Sequence, residues 1–273
     1  MTRYTLNPAM PVLLRPDGAV QVGWDPRRAV LVRPPAGLSS AALAELLRIL
    51  QSGATLADLQ ARFEVDASEL VGSLVDAGVA TAAERRRTRC ASIRIHGRGP
   101  LSDLLAGALR CSGARVTHSR VAQAAPPETT DLVVLSDFLV ADPRVVRELH
   151  TGRVAHLPVR LRDGAGLVGP LVVPGVTSCL GCADLHRSDR DAAWPAVASQ
   201  LRDAVGSADR ATVLATAALA LNQVDRVIKA VRRGEAVGTS VEPPPTLDTT
   251  LEFDVNAGAI VARRWSRHPR CWC

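Results

Sequence analysis

The sequence is poor in aromatic residues and almost free of lysine. Aromatic side chains make up only 3% of the 273 residues, whereas 47% of the residues are apolar. A chain of this length buries a sizeable core, which must here consist mainly of Ala, Val and Leu. Lys229 is the only lysine, so the formal net charge of +6 comes from arginine. Apart from the run Arg85–Arg87 the arginines are scattered, which argues against a nucleic-acid-binding surface.

Long apolar runs are also missing. The longest apolar helical stretch, Ala211–Leu221, is far shorter than the roughly 20 residues that span a bilayer. Met1–Pro16 has no basic start followed by an apolar stretch, so no signal peptide is expected. We therefore predict a cytoplasmic protein without a membrane partner, in which cysteines are thiols or metal ligands and not disulfides.

The first part of the chain, residues 1–82, predicts a small winged-helix-like domain. Short apolar runs typical of strands lie at 11–14, 20–23 and 29–32. Leucines at helical spacing follow, and helices are predicted to begin at Ser39 or Ser40, at Thr55, and at Asp66 or Ser68. Residues 83–90 carry a charge run without apolar periodicity and are predicted to form a linker.

The second part, residues 91–273, predicts an α/β Rossmann-like domain. Strand and helix signals alternate after Ala91, and the run DLVVLS at 131–136 is typical of a strand in a parallel sheet. A hairpin is predicted around Asp163–Gly166, a long helix over 211–232, and a last hairpin around Asn256–Gly258. Domains of this class bind ligands at the carboxyl ends of their strands.

Four of the six cysteines form two close pairs about 90 residues apart. Cys179 and Cys182 form a CxxC motif, and Cys271 and Cys273 form a CxC pair. Zinc takes four ligands at tetrahedral corners, and the thiolates of two such pairs suit it. We therefore predict a structural Zn²⁺ site, with Gly181 permitting the tight turn of the CxxC motif.

Other interpretations of the cysteines remain open. CxC binds metal less often than CxxC, and His268 is then the substitute ligand. A CxxC motif can also be a redox pair, although thioredoxin-like motifs lie at a helix start, a context that the sequence does not predict here. Cys90 and Cys111 have no nearby partner in the sequence and are interpreted as ordinary thiols.

A loop with glycines lies where a phosphate-binding loop belongs. Gly97 and Gly99 follow a predicted strand and precede a predicted helix, whose N–H groups could hold an anion. Ser102 stands at the third glycine position, and Pro100 removes one N–H donor. Asp137 follows the DLVVLS strand and either holds Mg²⁺ or caps a loop. Gly97, Gly99 and Asp137 are therefore the candidate residues for ATP with Mg²⁺.

The segment after the CxxC motif, LHRSDRD at 185–191, is crowded with charges. A histidine with flanking carboxylates can perform acid–base chemistry, and His186 would be that group. We interpret the segment instead as a charged surface loop whose residues pair with one another, or as a docking face. His96, beside the glycine loop, is likewise interpreted as a core or surface histidine and not as a ligand contact.

The order of these features resembles a known family. A degenerate glycine loop, a strand ending in Asp137, a CxxC motif and a late cysteine pair are similar to the ThiF-like fold of ubiquitin-activating-type adenylyltransferases. The stretch 169–201, beginning GPLVVPGVTSCLGC, and the ending HPRCWC resemble ThiF-like "cyclodehydratase" proteins of thiazole/oxazole-modified microcin pathways. The resemblance covers most of residues 91–273. It implies a zinc site at the four cysteines, and homodimerisation is common among such proteins.

The resemblance also implies partners. Residues 1–82 look like the RiPP recognition element, with which such proteins bind the leader peptide of a ribosomally made precursor. In related pathways a YcaO-type partner carries out the ATP-dependent cyclisation. The N-terminal domain is accordingly expected to bind a leader peptide, which would add a strand to its sheet.

Departures from the active adenylyltransferases bear on ATP. Those enzymes have an Asp-Asn pair where this chain has Asp137-Phe138, and they place cations on the phosphates where residues 117–130 hold only Arg120. The sequence therefore favours a non-catalytic, peptide-binding accessory protein. The alternatives are an ATP-dependent adenylyltransferase acting on a peptide C-terminus and a zinc-containing winged-helix DNA-binding regulator.

Overall fold

The computed structural model describes residues 2–84, 89–119 and 130–273. The chain divides into two compact units, Met1–Arg87 and Thr88–Cys273, and each has its own hydrophobic core. The arginine run at 85–87, Arg120, and parts of the segments 83–90 and 117–130 lie outside the described residues. Among the residues described, no helix has the length and apolar character needed to cross a membrane.

The N-terminal unit combines short strands with three helices. In chain order its elements are β1 (Thr2–Leu6), β2 (Val12–Leu14), β3 (Val20–Val22), β4 (Val30–Val32), α1 (Ser40–Ser52), α2 (Leu56–Phe63), α3 (Ser68–Asp76) and β5 (Ala80–Glu84). The antiparallel sheet of this unit has the order β2-β3-β4, and β1 pairs with β5 separately. The three strands and three helices that the sequence predicts are confirmed.

Local sequence explains these elements. The side chain of Ser39 caps α1, and Thr55 and Asp58 form a reciprocal capping box at the start of α2. The sequence does not predict β1 and β5, because only Tyr4 and Leu6 alternate in β1 and β5 is mainly alanine. They form by pairing with each other, with Leu6 opposite Ala80. β5 runs to Glu84, into the segment for which the sequence predicts a linker.

The C-terminal unit is built around a mixed sheet of seven strands. Its elements are β6 (Ser92–His96), α4 (Pro100–Leu109), β7 (Arg115–Ser119), β8 (Leu132–Ser136), α5 (Pro143–Thr151), β9 (Ala155–Arg162), β10 (Ala165–Val168), α6 (Leu180–Arg190), α7 (Trp194–Leu201), α8 (Arg210–Arg233), β11 (Thr249–Asp254) and β12 (Ala259–Arg264). The strand order is β12-β11-β10-β9-β8-β6-β7. β7, β6, β8 and β9 run parallel, whereas β9 to β12 are antiparallel neighbours.

The two faces of this sheet bury different elements. Leu132 and Val134 of β8 belong to the core that α4 and α8 cover. Val133 and Leu135, which point to the other face, pack with α5 and with the buried cysteines Cys179 and Cys182 in a separate cluster. The α4 face therefore carries the glycine loop, and the opposite face carries the cysteine motif.

Three predicted elements of this unit are confirmed and one is not. The hairpins around Asp163–Gly166 and Asn256–Gly258 and the long helix are confirmed. The surface loop predicted over residues 185–191 is wrong, because α6 covers that segment up to Arg190. The apolar face of Leu180, Cys182 and Ala183 is buried and holds the helix on the sheet, while its charged residues face outward or pair with one another.

Candidate functional site

The four predicted metal ligands meet in space. The Sγ atoms of Cys179, Cys182, Cys271 and Cys273 all lie within 4.8 Å of one another. Cys179 Sγ is 3.7 Å from Cys182 Sγ and 3.6 Å from Cys271 Sγ, and Cys182 Sγ is 3.4 Å from Cys273 Sγ. A tetrahedron with metal–sulfur bonds of about 2.3 Å has edges of about 3.8 Å. The cluster therefore has the spacing of a four-thiolate metal site.

The first cysteine pair is shaped by a helix start. Cys179 is the N-cap of α6, and its Sγ accepts a hydrogen bond from the backbone N–H of Cys182 at 3.4 Å. The predicted reason for Gly181 is wrong, because a Cβ there would meet Cys179 Sγ at an ordinary 3.4 Å. The helix, and not a glycine-dependent turn, directs both sulfurs to one side. A helix start is also the context of redox CxxC motifs, but the convergence of two further sulfurs favours a metal.

His268 is not part of the sulfur cluster. Its Nε2 lies 2.7 Å from Asp189 Oδ2, and its Nδ1 accepts the backbone N–H of Arg270 at 3.1 Å. Arg270 itself pairs with Asp189, and the His268 ring packs edge-on against His186. His268 is therefore no substitute ligand. Its bond to Asp189 connects the segment before Cys271 to α6, and His186 of α6 packs against the same ring.

The glycine loop and Asp137 also come together, in a way that occupies the start of α4. The Asp137 carboxylate accepts the backbone N–H of Leu101 at 2.9 Å and that of Ser102 at 3.2 Å. The N–H of Gly99 bonds Ser102 Oγ, and the N–H of Asp103 bonds the Gly99 carbonyl. Pro100 has no N–H. Every amide donor of the first turn of α4 is therefore already engaged.

Ser136 and Asp137 lie so close to the loop that positions 97 and 99 have no room for a side chain. A Cβ on Gly97 would lie 2.4 Å from Ser136 Oγ, and one on Gly99 would lie 2.8 Å from Asp137 Oδ1. Asp137 is fully buried and has a positive φ of 73°. The loop thus accommodates the Asp137 side chain, which caps the start of α4 in this structure.

A cavity of about 310 Å³ lies beside this loop, at the carboxyl ends of β6, β8 and β9. His96, Arg98, Phe138 and Arg160 are among its lining residues. His96 is buried, and burial together with the nearby Arg94 charge lowers the pKa of its imidazole. Sequence reasoning does not single out Arg160, because one arginine on a strand has no distinguishing pattern among so many scattered arginines.

In the N-terminal unit, the outer face of the β2-β3-β4 sheet carries exposed apolar side chains. Leu13, Gln21 and Leu31 are neighbours across the three strands. Leu13 is 39% exposed and Leu31 is 56% exposed, whereas Val12 and Val22 on the other face are buried. Trp24, just after β3, is 82% exposed and lines a cavity of about 370 Å³. An apolar face of this kind is typical of a docking surface.

Comparison with solved structures places this geometry in a known context. A heterocyclase in complex with substrate and cofactor matches 100% of this chain and 39% of its own length, with 16% identity and a TM-score of 0.67. The heterocyclase TruD matches with the same identity and TM-score over 42% of its length. The chain has the fold of these heterocyclases. It spans about two fifths of their length.

The E. coli protein MccB, in a structure with ATP, is similar over 99% of both chains, with 13% identity and a TM-score of 0.58. MccB has also been solved with MccA-N7isoASN, with 14% identity and a TM-score of 0.58. No protein-family model matches the sequence, and the comparison with curated proteins finds no match. The resemblance drawn from the residues is therefore confirmed at the level of fold.

Proposed function

We propose that this protein is a non-catalytic, ThiF-like accessory protein that binds a precursor or partner peptide in an azoline-forming, YcaO-associated peptide-modification pathway. The observation that carries the proposal is the Asp137 carboxylate at the start of α4, where it takes the N–H groups of Leu101 and Ser102. The N-terminal unit then corresponds to a winged-helix-like, RiPP recognition element-like domain. The C-terminal unit corresponds to a Rossmann-like ThiF domain.

The capped helix argues against ATP chemistry. A phosphate bound at a helix start uses the free N–H groups and the positive end of the helix dipole. In this structure the Asp137 carboxylate accepts these N–H groups. A triphosphate would have to displace the carboxylate, and the negative charge of Asp137 would repel the phosphates. An ATP-dependent adenylyltransferase that activates a peptide or protein C-terminus remains the alternative, supported by the position of Gly97 and Gly99 and by the fold of MccB, which was solved with ATP.

The four cysteines support a structural role for the metal. Thiolates at tetrahedral spacing are the preferred ligands of Zn²⁺, and four of them leave no coordination position for a substrate. We infer that Zn²⁺ joins the start of α6 to the segment after β12. The ion would stabilise the contact between these two segments and would not take part in a reaction.

The peptide-binding step is assigned to the N-terminal unit. β4 is an edge strand of its sheet, so its outer backbone groups can pair with an added strand. Leu31 on β4 offers an apolar contact to side chains of such a strand. A leader peptide would therefore bind by extending the sheet at β4, with its apolar residues over this face.

One pair of measurements tests the proposal. The purified, zinc-loaded protein should give no ATP–pyrophosphate exchange above background, with or without synthetic peptides that match short open reading frames beside the coding gene. One such peptide should bind saturably in a calorimetric titration. Robust exchange that is lost in Asp137→Ala would overturn the non-catalytic proposal in favour of the adenylyltransferase.

A matched variant makes the result interpretable. Asp209→Ala removes another helix-capping carboxylate, at α8, which does not line the cavity beside the glycine loop. Exchange that survived Asp209→Ala but not Asp137→Ala would identify Asp137 as part of an active nucleotide site.

A further inference from the structure

A cavity of about 480 Å³ lies in the C-terminal unit among α5, α6, α7 and β9. Much of its wall is apolar, formed among others by Leu139, Val146, Leu180 and Leu201. Its size and lining suit a compact organic group or a short end of a peptide. Neither the four cysteines nor Gly97, Gly99 and Asp137 line this cavity, although Leu180 and Gly181 of the CxxC motif do.

Polar groups in this wall are mostly matched to partners within the protein. Asp184 accepts Arg187 at 3.0 Å and the indole N–H of Trp194 at 3.2 Å. The Arg187 guanidinium also lies 5.1 Å from the ring centroids of both Trp194 and Trp265. Arg187 and Asp184 therefore neutralise each other and fix the indole ring of Trp194 in the wall.

The other two arginines near the mouth are accounted for as well. Arg162 pairs with Glu252 at 3.2 Å. Arg147 donates from Nε to the Pro143 carbonyl at 3.3 Å, and it is exposed. Neither presents an unmatched, water-excluded charge to the cavity.

Arg160 differs from these arginines. It lies on β9, lines both this cavity and the one beside the glycine loop, and donates once, to the Leu139 carbonyl at 3.3 Å. Within the described residues no carboxylate forms an ion pair with it. Burial, reinforced by the charges of Arg187 and Arg162 and opposed by that of Asp184, lowers the pKa of Arg160 to about 10, so it stays protonated near neutral pH. A partly buried cation without a counter-ion is costly unless an anion joins it.

We propose that this cavity binds a carboxylate carried on an apolar body, with the Arg160 guanidinium as its anchor. The planar guanidinium has donors in a fork that matches a carboxylate. A single free cation matches a monoanion. The carboxylates of Asp163 and Asp184 in the same wall would repel a dianionic phosphate more strongly than a monoanion. The apolar part of the ligand would contact Leu139, Leu180 and the face of Trp194.

The carboxylate has two possible sources, a peptide C-terminus or an acidic side chain within a peptide. Both present the same group to Arg160. The site does not depend on leader binding at the N-terminal sheet, since it is formed entirely by residues of the C-terminal unit. The two proposals can therefore succeed or fail separately.

The test is calorimetric titration of the zinc-loaded full chain with three probes. They are N-acetyl-leucyl-leucine with a free carboxylate, the same dipeptide as its C-terminal amide, and an amide-capped tripeptide with a central glutamate. We expect saturable binding of at least one carboxylate probe. The neutral amide should bind at least tenfold more weakly, because it lacks the charge-assisted hydrogen bond to Arg160. Which carboxylate probe binds identifies the source.

Substitutions test whether binding depends on Arg160. Arg160→Gln should weaken binding by at least about tenfold, whereas Arg160→Lys should retain part of it. Arg263→Gln, at an arginine that pairs with Glu252 and does not line the cavity, should leave binding nearly unchanged. Leu201→Trp, which fills the cavity without altering any charge, should also abolish binding. Thermal melts of each variant verify folding.

Three outcomes would overturn the proposal. They are equal affinity for the acid and the amide, unchanged affinity in a folded Arg160→Gln, and no saturable binding of either carboxylate probe to the wild-type protein.

Discussion

At the scale of single residues, the carboxylate of Asp137 occupies two backbone N–H groups at the start of α4. It is buried, bonded to two backbone N–H groups, and held in place by the absence of side chains at Gly97 and Gly99. The same residue type at the same strand end would serve a cation in a nucleotide-binding enzyme. Here its bonds make it part of the fold.

Replacing Asp137 should therefore cost stability even without any ligand. Asp137→Ala leaves two buried N–H groups without acceptors, and we expect a loss of about 2–4 kcal/mol in the free energy of unfolding. Urea denaturation followed by circular dichroism measures this. Asp142→Ala at the more exposed cap of α5 is the control, with an expected loss of about 1 kcal/mol. Equal losses in the two variants would contradict the role assigned to Asp137.

A second residue-scale prediction concerns pH. His156 on β9 is fully buried, and burial lowers the pKa of its imidazole from 6.5 to about 4. The unfolded chain then binds this proton more readily, so the stabilisation is complete above pH 6.5 and is lost as the pH falls toward 4. Between pH 7.5 and pH 5.5 the loss should be about 1.3 kcal/mol.

The variant His156→Met isolates this contribution, because it keeps the cysteine cluster whose thiolates also respond to acid. The wild-type protein should lose about 1.3 kcal/mol more than His156→Met between the two pH values, measured by urea titration at each. Parallel pH profiles of the two proteins would rule out a role for His156.

At the scale of elements, the segment after β12 depends on two kinds of contact. Cys271 and Cys273 join the sulfur cluster, and His268 and Arg270 pair with Asp189 of α6. The polar contacts are partly exposed and contribute little alone. The metal should therefore dominate the attachment of this segment.

Removal of one ligand should release it. Cys273→Ser should lower the metal content well below one Zn²⁺ per chain and make the peptide bonds after Trp265 sensitive to a protease. Metal analysis and limited proteolysis with mass spectrometry detect both effects. Cys111→Ser, at an exposed cysteine outside the cluster, should change neither. A Cys273→Ser protein with a full complement of zinc would contradict the four-thiolate site.

The edge strand β4 allows a second test at this scale. Leu31→Asp places a charge on the exposed face without removing a core contact, so stability should change by less than about 0.5 kcal/mol. Peptide affinity should fall by at least tenfold, as measured by fluorescence anisotropy with a labelled peptide. Val176→Asp, at an equally exposed apolar residue of the other unit, is the control and should leave the affinity unchanged.

At the scale of the whole molecule, the sequence predicts the order of most elements and the convergence of the four cysteines. It does not predict which group lies against the glycine loop. Apolar periodicity identifies most helices and strands, and the CxxC and CxC spacing identifies the four cysteines that converge. The sequence cannot tell whether Asp137 faces a ligand or the helix, because both uses need the same residue after the same strand. The sequence also does not identify Arg160, because only the folded cavity shows that no carboxylate of the described residues forms an ion pair with it.

The distribution of charge leads to a prediction at this scale. The net charge of +6 is spread over the chain, and the proposed peptide surface around Leu13 and Leu31 is apolar. Peptide affinity should therefore change by less than about threefold between 50 and 200 mM salt, whereas phosphate contacts of a DNA-binding regulator would weaken binding by orders of magnitude. Anisotropy titrations at the two salt concentrations distinguish these cases. A steep salt dependence with duplex DNA would support the regulator instead.

The separation of the cysteine pairs has a consequence for the unfolded chain. The ligands that the metal joins are 92 residues apart for Cys179 and Cys271 and 91 apart for Cys182 and Cys273. A metal that stayed bound during denaturation would act as a cross-link closing a large ring, which reduces the number of unfolded conformations. By the chain-entropy relation for cross-links, a ring of this size is worth about 4–5 kcal/mol. Zinc would then protect the protein as much by restricting its disordered states as by its bonds in the native one.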